Sequence, residues 1–208
     1  MNDIRSLSEL LTDFQNKLAG TRTSIGEILE AFHERGFGVV LFVFALPMAL
    51  PVPVPPGINI ILALPLLLMT LQQTLGRHTI WLPDRLKRKN FSTQSLQSIL
   101  VRALPWVKRM ENLTRPRMGY ITAPHFSWAI GAFGALFSLS ICVPIPLSNT
   151  VPSLAIAVMA IGVLMRDGLA VLCGMILGST WLACLVSVLI FIGSEGIDVF
   201  KQSIKSLF

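Results

Sequence analysis

One stretch limits what this chain can fold into: Ala45-Leu-Pro-Met-Ala-Leu-Pro-Val-Pro-Val-Pro-Pro-Gly-Ile-Asn-Ile60. It lies inside an apolar run that would otherwise read as a membrane helix. Pro47, Pro51, Pro53, Pro55 and Pro56, together with Gly57, forbid a continuous helix there, because proline lacks an N–H and clashes with the preceding turn. In lipid every freed backbone group needs another partner, so such a backbone must be shielded by protein or line a wet cavity. The pattern returns as Cys142-Val-Pro-Ile-Pro-Leu-Ser-Asn-Thr-Val-Pro-Ser153, with Pro144, Pro146 and Pro152. Two Pro-broken apolar segments in corresponding halves point to a central site of the kind found in inverted-repeat transporters. Tight turns between helices at a membrane surface would leave the same pattern.

Composition decides the surroundings. Hydrophobic residues make up 53% of the 208 residues and charged ones 13%, against about a quarter charged in a soluble domain. A polytopic membrane protein with one compact membrane domain follows. The net charge of +6 is unevenly placed. Between residues 76 and 118 stand Arg77, Arg85, Lys87, Arg88, Lys89, Arg102, Lys108, Arg109, Arg115 and Arg117, against only Asp84 and Glu111. The positive-inside rule puts this segment in the cytoplasm, and its charges suit anionic lipid headgroups of the bilayer. No nucleic-acid-binding module accompanies them, so nucleic acid is not expected as a partner. Cys142, Cys173 and Cys184 sit in apolar runs without a Cys-x-x-Cys or a neighbouring His, which predicts small packing residues and neither a disulfide framework nor a metal site.

Along the chain, residues 1–36 read as cytoplasmic or interfacial amphipathic helices. Leu7, Leu10, Leu11, Phe14 and Leu18 recur at helical spacing, and Ser24 with Glu27 forms a capping-box pattern ahead of Ile25, Ile28, Leu29 and Phe32. Gly36 suits the C-terminal cap of that second helix. The membrane domain is expected over 37–193. Its first repeat, 37–77, has an arm before Pro51 of about 21 Å as a helix, short of the ~30 Å hydrocarbon core, and Pro65 interrupts the second arm. A re-entrant hairpin that enters and returns on one side fits, with Gln72, Gln73, Thr74, Gly76 and Arg77 marking the exit to water. A basic linker, 78–120, carries an amphipathic stretch over 91–112 kinked near Pro105. The second repeat covers 121–167. Residues 169–193 are the clean spanning helix, and 194–208 a tail folded on the surface.

The fold class expected is therefore an all-α polytopic membrane protein: two Pro-broken, re-entrant-like hairpin repeats, a C-terminal transmembrane helix and interfacial amphipathic helices. The repeat is visible directly. Val52-Pro-Val-Pro55 matches Val143-Pro-Ile-Pro146, Leu64 to Met69 matches Leu154 to Met159 after a one-residue gap, and the units end in Arg77 and Arg166.

Glu34-Arg-Gly-Phe-Gly-Val-Val-Leu, Ala45-Leu-Pro, Leu64-Pro-Leu-Leu-Leu-Met-Thr-Leu-Gln-Gln-Thr-Leu-Gly-Arg77, Trp81-Leu-Pro83 and Arg166-Asp-Gly168 together resemble the ExoD family. The resemblance covers nearly the whole chain. It implies a bacterial inner-membrane location and a role in polysaccharide synthesis or export. It supplies no catalytic residues.

No enzyme constellation is present: the apolar segments hold no paired carboxylates, no His-Glu-x-x-His, no phosphate loop and no nucleophile elbow. No cofactor is implied. What remains are polar groups at the breaks. Asn59, Ser148, Asn149, Thr150 and Ser153 stand beside freed carbonyls, and helices starting after each break would aim N–H groups at a shared volume suited to an anion. Arg77 and Arg166 lie further along and serve either the substrate or the interface. Two functions stay open: a small carrier of an anionic or lipid-phosphate substrate, and a scaffold that docks polysaccharide-assembly proteins through residues 85–117. Ala170, Gly174 and Gly178 on one helix face suit either packing within the chain or a homodimer.

Overall fold

The computed structural model describes residues 6–18, 22–32, 35–50, 58–77, 79–114, 116–142 and 149–205. The proline-rich residues Pro51, Pro53, Pro55, Pro56, Gly57, Pro144 and Pro146, and with them Ser148, lie outside these.

The N-terminal and linker segments build one layer together. α1 (Leu7–Lys17) starts at Ser6, whose hydroxyl accepts the Glu9 N–H while the Glu9 carboxylate accepts the Ser6 N–H, a reciprocal cap. Leu7, Leu11 and Phe14 bury its apolar stripe with Leu100 of α6 (Thr93–Leu113) and with Leu164 and Met165. That stripe is closed on protein. α2 (Ile25–Phe32) follows the expected Ser24–Glu27 capping box, with both hydrogen bonds present at 2.9 and 3.2 Å. Strand β1 (Arg22–Ser24) pairs antiparallel with β2 (Asn90–Ser92), Thr23 facing Phe91. The Thr23 and Thr93 hydroxyls meet across it at 3.2 Å. The chain is thus mostly helical but not all-α, because this ribbon ties the start of α2 to the start of α6. The short α5 (Asp84–Lys87) precedes β2.

The second assembly is a bundle of α3 (Gly36–Ala49), α4 (Ile58–Thr74), α7 (Ser127–Ile141), α8 (Thr150–Met165) and the long α9 (Gly168–Lys205). Its most extensive contacts are α8 with α9, α4 with α7, and α3 with α8. Small residues let the backbones approach. Gly38, early in α3, faces Ala160 and Leu164, late in α8. Gly131 and Gly134, early in α7, face Thr70, Gln73 and Thr74, late in α4. Both pairs are therefore antiparallel. The starts of α3, α7 and α9 and the ends of α4 and α8 gather at one end of the bundle. α3 and α7 run in the same sense, so the two units are not inverted with respect to each other, contrary to the sequence expectation.

The bundle buries a recurrent pattern. Ala63, Leu66, Met69 and Thr70 of α4 are matched in spacing by Ser153, Ile156, Met159 and Ala160 of α8, all fully buried or nearly so. Phe37, Gly38, Leu41, Ala45 and Met48 of α3 are matched likewise by Ile130, Gly131, Gly134, Ser138 and Ile141 of α7. Both second helices are followed by a left-handed residue in the same register, Gly76 at φ 74° and Arg166 at φ 55°.

Several prolines act differently from their sequence reading. α3 runs through Pro47 and α4 through Pro65, while α6 holds Pro105 inside the helix as expected. Each proline forfeits one backbone hydrogen bond, and packed neighbours such as Ala45, Met48, Ala63 and Leu66 hold the turns on either side. Pro152 is not a break either: it is fully buried in the first turn of α8, where a missing N–H costs nothing. Gly36 opens α3 rather than closing α2. The second unit's first helix starts at Ser127, later than Ile121, although Ile121 is buried. α9 continues without interruption past Gly193 to Lys205, so the helical part of the tail extends the last helix instead of folding back. Among the described residues one helical stretch, Gly168–Phe191, is long and apolar enough to cross a membrane, and Gly36–Ala49, Ile58–Thr74 and Thr150–Met165 are shorter apolar helices.

Candidate functional site

The sequence candidates fall at two ends of the bundle. At the end next to the proline-rich segments, Asn59 occupies the first turn of α4 and Asn149 the N-cap of α8. They are equivalent positions in the register described above. Asn149 is 9% exposed, its carbonyl accepts the Ser153 N–H at 3.1 Å, and its side chain does not cap the helix. Thr150, the first residue of α8, is half-buried. Asn59 Oδ1, Ser153 Oγ and Ser138 Oγ are buried without a hydrogen-bond partner. Each such atom costs roughly 1–3 kcal/mol while it stays unpaired. Ser138 stands one turn before the end of α7 and Ser153 one turn after the start of α8. Ser138 escaped the sequence reading, because a lone serine among apolar residues carries no signal of its own.

At the opposite end, Arg77 is exposed and follows Gly76, with its N–H donated to the Gln72 carbonyl. Arg166 is exposed and caps α8 in a left-handed conformation. Asp167 is buried: its Oδ1 accepts the N–H groups of Leu169 and Ala170 at 3.0 and 3.4 Å and so caps α9. The 17 residues of α4 separate the two groups by about 25 Å. The arginines and the asparagines are therefore not one site.

Two polar residues at this end are buried, and for Gln73 the sequence pointed to water. Gln73 is 2% exposed and donates from Nε2 to Ser127 Oγ at 3.0 Å. Arg35, just ahead of α3, is 9% exposed. Burial holds its guanidinium below the usual arginine value, nearby Arg166 pushes the same way, and Glu111 opposes both. An arginine directly before an apolar run reads as an ordinary flank, which is why the sequence passes over it.

The last helix uses its glycines inside the chain. A side chain at Gly174 would meet the Ala155 carbonyl and Met159 of α8, and one at Gly178 would meet the ring of Phe137 in α7. This face is occupied, so it does not offer the homodimer contact that the small-residue spacing allowed. Cys142, Cys173 and Cys184 are free thiols, and the last two are exposed instead of packed.

The sequence pattern described as exopolysaccharide synthesis, ExoD, matches residues 7–187. The chain belongs to the ExoD family. It is 31% identical over 207 residues to an uncharacterized protein of Synechocystis sp., with 97% of each chain covered. It is 29% identical over 171 residues to Protein ExoD of Rhizobium meliloti, covering 80% of this chain and 70% of that one. No solved structure matches. Membership in the ExoD family implies involvement in exopolysaccharide synthesis.

Proposed function

We propose that the chain is a multi-pass protein of the bacterial inner membrane whose broken bundle carries an anionic or lipid-phosphate substrate in exopolysaccharide synthesis or export. The observation that carries this reading is the set of buried oxygens on Asn59, Ser138 and Ser153, none with a partner, near the end where Asn149 stands at the N-cap position of α8. A purely structural bundle gains nothing from them, whereas a polar cargo or its water supplies the missing partners.

Internal duplication supports the reading further. The matched burial of α4 with α8 and of α3 with α7 fits two copies of one hairpin. The two-fold axis relating them runs along the bundle. The ends of α3 and α7 and the starts of α4 and α8 lie at the end where Asn59 and Asn149 stand. The helices Gly36–Ala49, Ile58–Thr74 and Thr150–Met165 have 14, 17 and 16 residues, about 21–26 Å. They suit hairpins that enter ~30 Å of hydrocarbon from the basic side and return.

The test is lipid flipping by purified protein in liposomes, with a fluorescent polyprenyl phosphate as probe. Wild type is expected to flip it, and Asn149→Ala to lose flipping while keeping its unfolding temperature. Well-folded wild type that moves no probe overturns the carrier.

A scaffold is the second reading, favoured by α6. Ile99 and Trp106 are 62% and 69% exposed on the same face as Arg102 and Arg109. An unpartnered face of that kind suits an anionic lipid surface or an assembly partner. In this reading the face, not Asn149, is what exopolysaccharide production in cells depends on.

A further inference from the structure

Trp81, Trp106, Trp128 and the single tyrosine, Tyr120, are each more than half exposed, although such rings are mostly buried in a folded chain. All four stand at the basic end of the bundle. The Trp81 N–H donates to Gln72 Oε1, late in α4, at 2.7 Å. Trp128 is in the first turn of α7. Tyr120 follows Met118, which lies against Gly168 at the start of α9. Trp106 is on α6, whose Leu100 packs with Leu164 and Met165 at the end of α8. Residues 37–76, 121–165 and 169–194, which hold the bundle helices, contain no Asp, Glu, Lys or Arg. Exposed rings at one level, with charges on one side and uncharged apolar helices on the other, are the pattern of a bilayer's headgroup zone.

α6 uses one stripe for packing and leaves a second one open. Leu96, Leu100, Leu104, Val107 and Met110 meet α1 and the end of α8. Glu111, the one acid on α6, is turned the same way and accepts the Ser8 N–H through Oε1 at 2.8 Å. At 100° per residue, Ile99 and Trp106 lie about 100–120° round from Leu100. Arg102 and Arg109 come next to them, on the side away from the packed stripe, and all four are exposed. An apolar flank beside a basic flank is the layout of a helix lying in an anionic membrane surface. The end of α6 is also tied to the start of α9. Gly168 donates its N–H to the Arg117 carbonyl at 2.8 Å, and Arg117 bridges Asp167. Arg117 is three residues past Thr114, the C-cap of α6. α6 therefore ends within about 10 Å of where the apolar stretch Gly168–Phe191 begins.

We propose that α6 docks on the anionic surface of the bilayer leaflet that α9 enters, with Ile99 and Trp106 set among the headgroups and Arg102 and Arg109 against lipid phosphates. Charge complementarity selects this occupant. Arg85, Lys87, Arg88 and Lys89 stand just ahead of α6 and add to the same sign, against Asp84 alone. Distribution of the rings points the same way: a protein partner covers one patch, whereas a bilayer meets the exit of α4, α6, the start of α7 and Tyr120 together. Arginine forks suit phosphate oxygens, and docking then depends on anionic lipid and weakens as salt rises. The proposal rests on the reading that α9 crosses a membrane, and it is independent of whether any substrate is carried.

The test uses the full chain labelled with fluorotryptophan, in bilayer nanodiscs of phosphatidylcholine alone or mixed with phosphatidylglycerol. Fluorine NMR follows each tryptophan, assigned by single Trp→Phe variants, and a lipid spin-labelled at its headgroup broadens the rings it reaches. Trp81 and Trp128 are expected to broaden in both lipids. Trp106 is expected to broaden with phosphatidylglycerol present, and to recover with salt or in phosphatidylcholine alone. Arg102→Gln and Arg109→Gln are each expected to weaken docking about five-fold, and Ile99→Gln about ten-fold. All three positions are exposed, so the variants are expected to fold. Broadening of Trp106 without that of Trp81 and Trp128 leaves the docking standing and removes the multi-pass reading. Broadening of Trp81 and Trp128 while Trp106 stays in water in both lipids overturns the docking and leaves the face to an assembly partner. The proposal is also overturned if Trp106 broadens equally in phosphatidylcholine alone, or if the three variants all dock as wild type does.

Discussion

Gly131 of α7 lies against the backbone of Thr74 in α4, so close that a methyl group there would collide with the Thr74 amide and stand 2.8 Å from the Thr70 carbonyl. Backbone cannot move aside as a flexible side chain can. Gly131→Ala is therefore expected to separate α4 from α7 and to cost about 1–3 kcal/mol. Gly119→Ala, with nothing within 4 Å of the new carbon, is the control and should be close to neutral. Thermal unfolding of both variants in detergent checks this, and equal midpoints would refute the packing.

Gly174 and Gly178 give a second prediction. A carbon added at Gly174 would sit 2.7 Å from the Ala155 carbonyl and 2.6 Å from Met159 Cγ. Gly174→Leu is expected to lower the unfolding temperature sharply and to leave the oligomeric state as in wild type. Light scattering and thermal melts together decide. A change of oligomer with no loss of stability would mean that the face serves a second copy after all.

Asp167 concerns the joint between α8 and α9. Its carboxylate caps the helix that holds the spanning stretch, and its N–H donates to the Gly162 carbonyl at 2.8 Å. Asp167→Ala is expected to cost about 1–2 kcal/mol, the usual range for a lost N-cap. Asp167→Asn keeps an acceptor oxygen and should lose less. Denaturant titration of the two variants tests the order, and a larger loss for Asn than for Ala would contradict the cap.

Much of this fold was legible because periodicity survives without knowledge of the partners. Leu7, Leu11 and Phe14 read correctly as one helix face, and Ser24 and Glu27 as a cap. Reading the prolines was less secure. A proline's cost is one lost bond plus a clash, and whether the helix survives depends on packing around Ala45 or Leu66 that no local pattern contains. The candidate site divided for a related reason. Asn59 and Asn149 were readable as helix starts, whereas the burial of Arg35 and Gln73 depends on α1, α6 and α7 closing over them. The missed strand pairing has the same origin, since Arg22–Ser24 and Asn90–Ser92 are far apart in the chain and each is only three residues long.

The last prediction fixes the orientation. The starts of α3, α7 and α9 share one end of the bundle with the basic segment around α5 and α6, and excess Lys and Arg keeps such an end in the cytoplasm. Gly168–Phe191 has 24 residues, about 36 Å, enough to cross ~30 Å of hydrocarbon. On the proposed membrane reading α9 is expected to emerge on the far side, and the shorter α3, α4 and α8 are expected to return to the side they entered from. In a background with Cys142, Cys173 and Cys184 replaced by Ala, Ser95→Cys on the exposed face of α6 is expected to react with a membrane-impermeant maleimide only once the cytoplasmic side is opened. Alkaline phosphatase fused after Phe208 is expected to be active, because it folds only outside the cytoplasm. Labelling of Ser95→Cys in intact spheroplasts would place the basic segment outside. An inactive phosphatase fusion, paired with a fluorescent cytoplasmic reporter at the same point, would show that α9 does not cross.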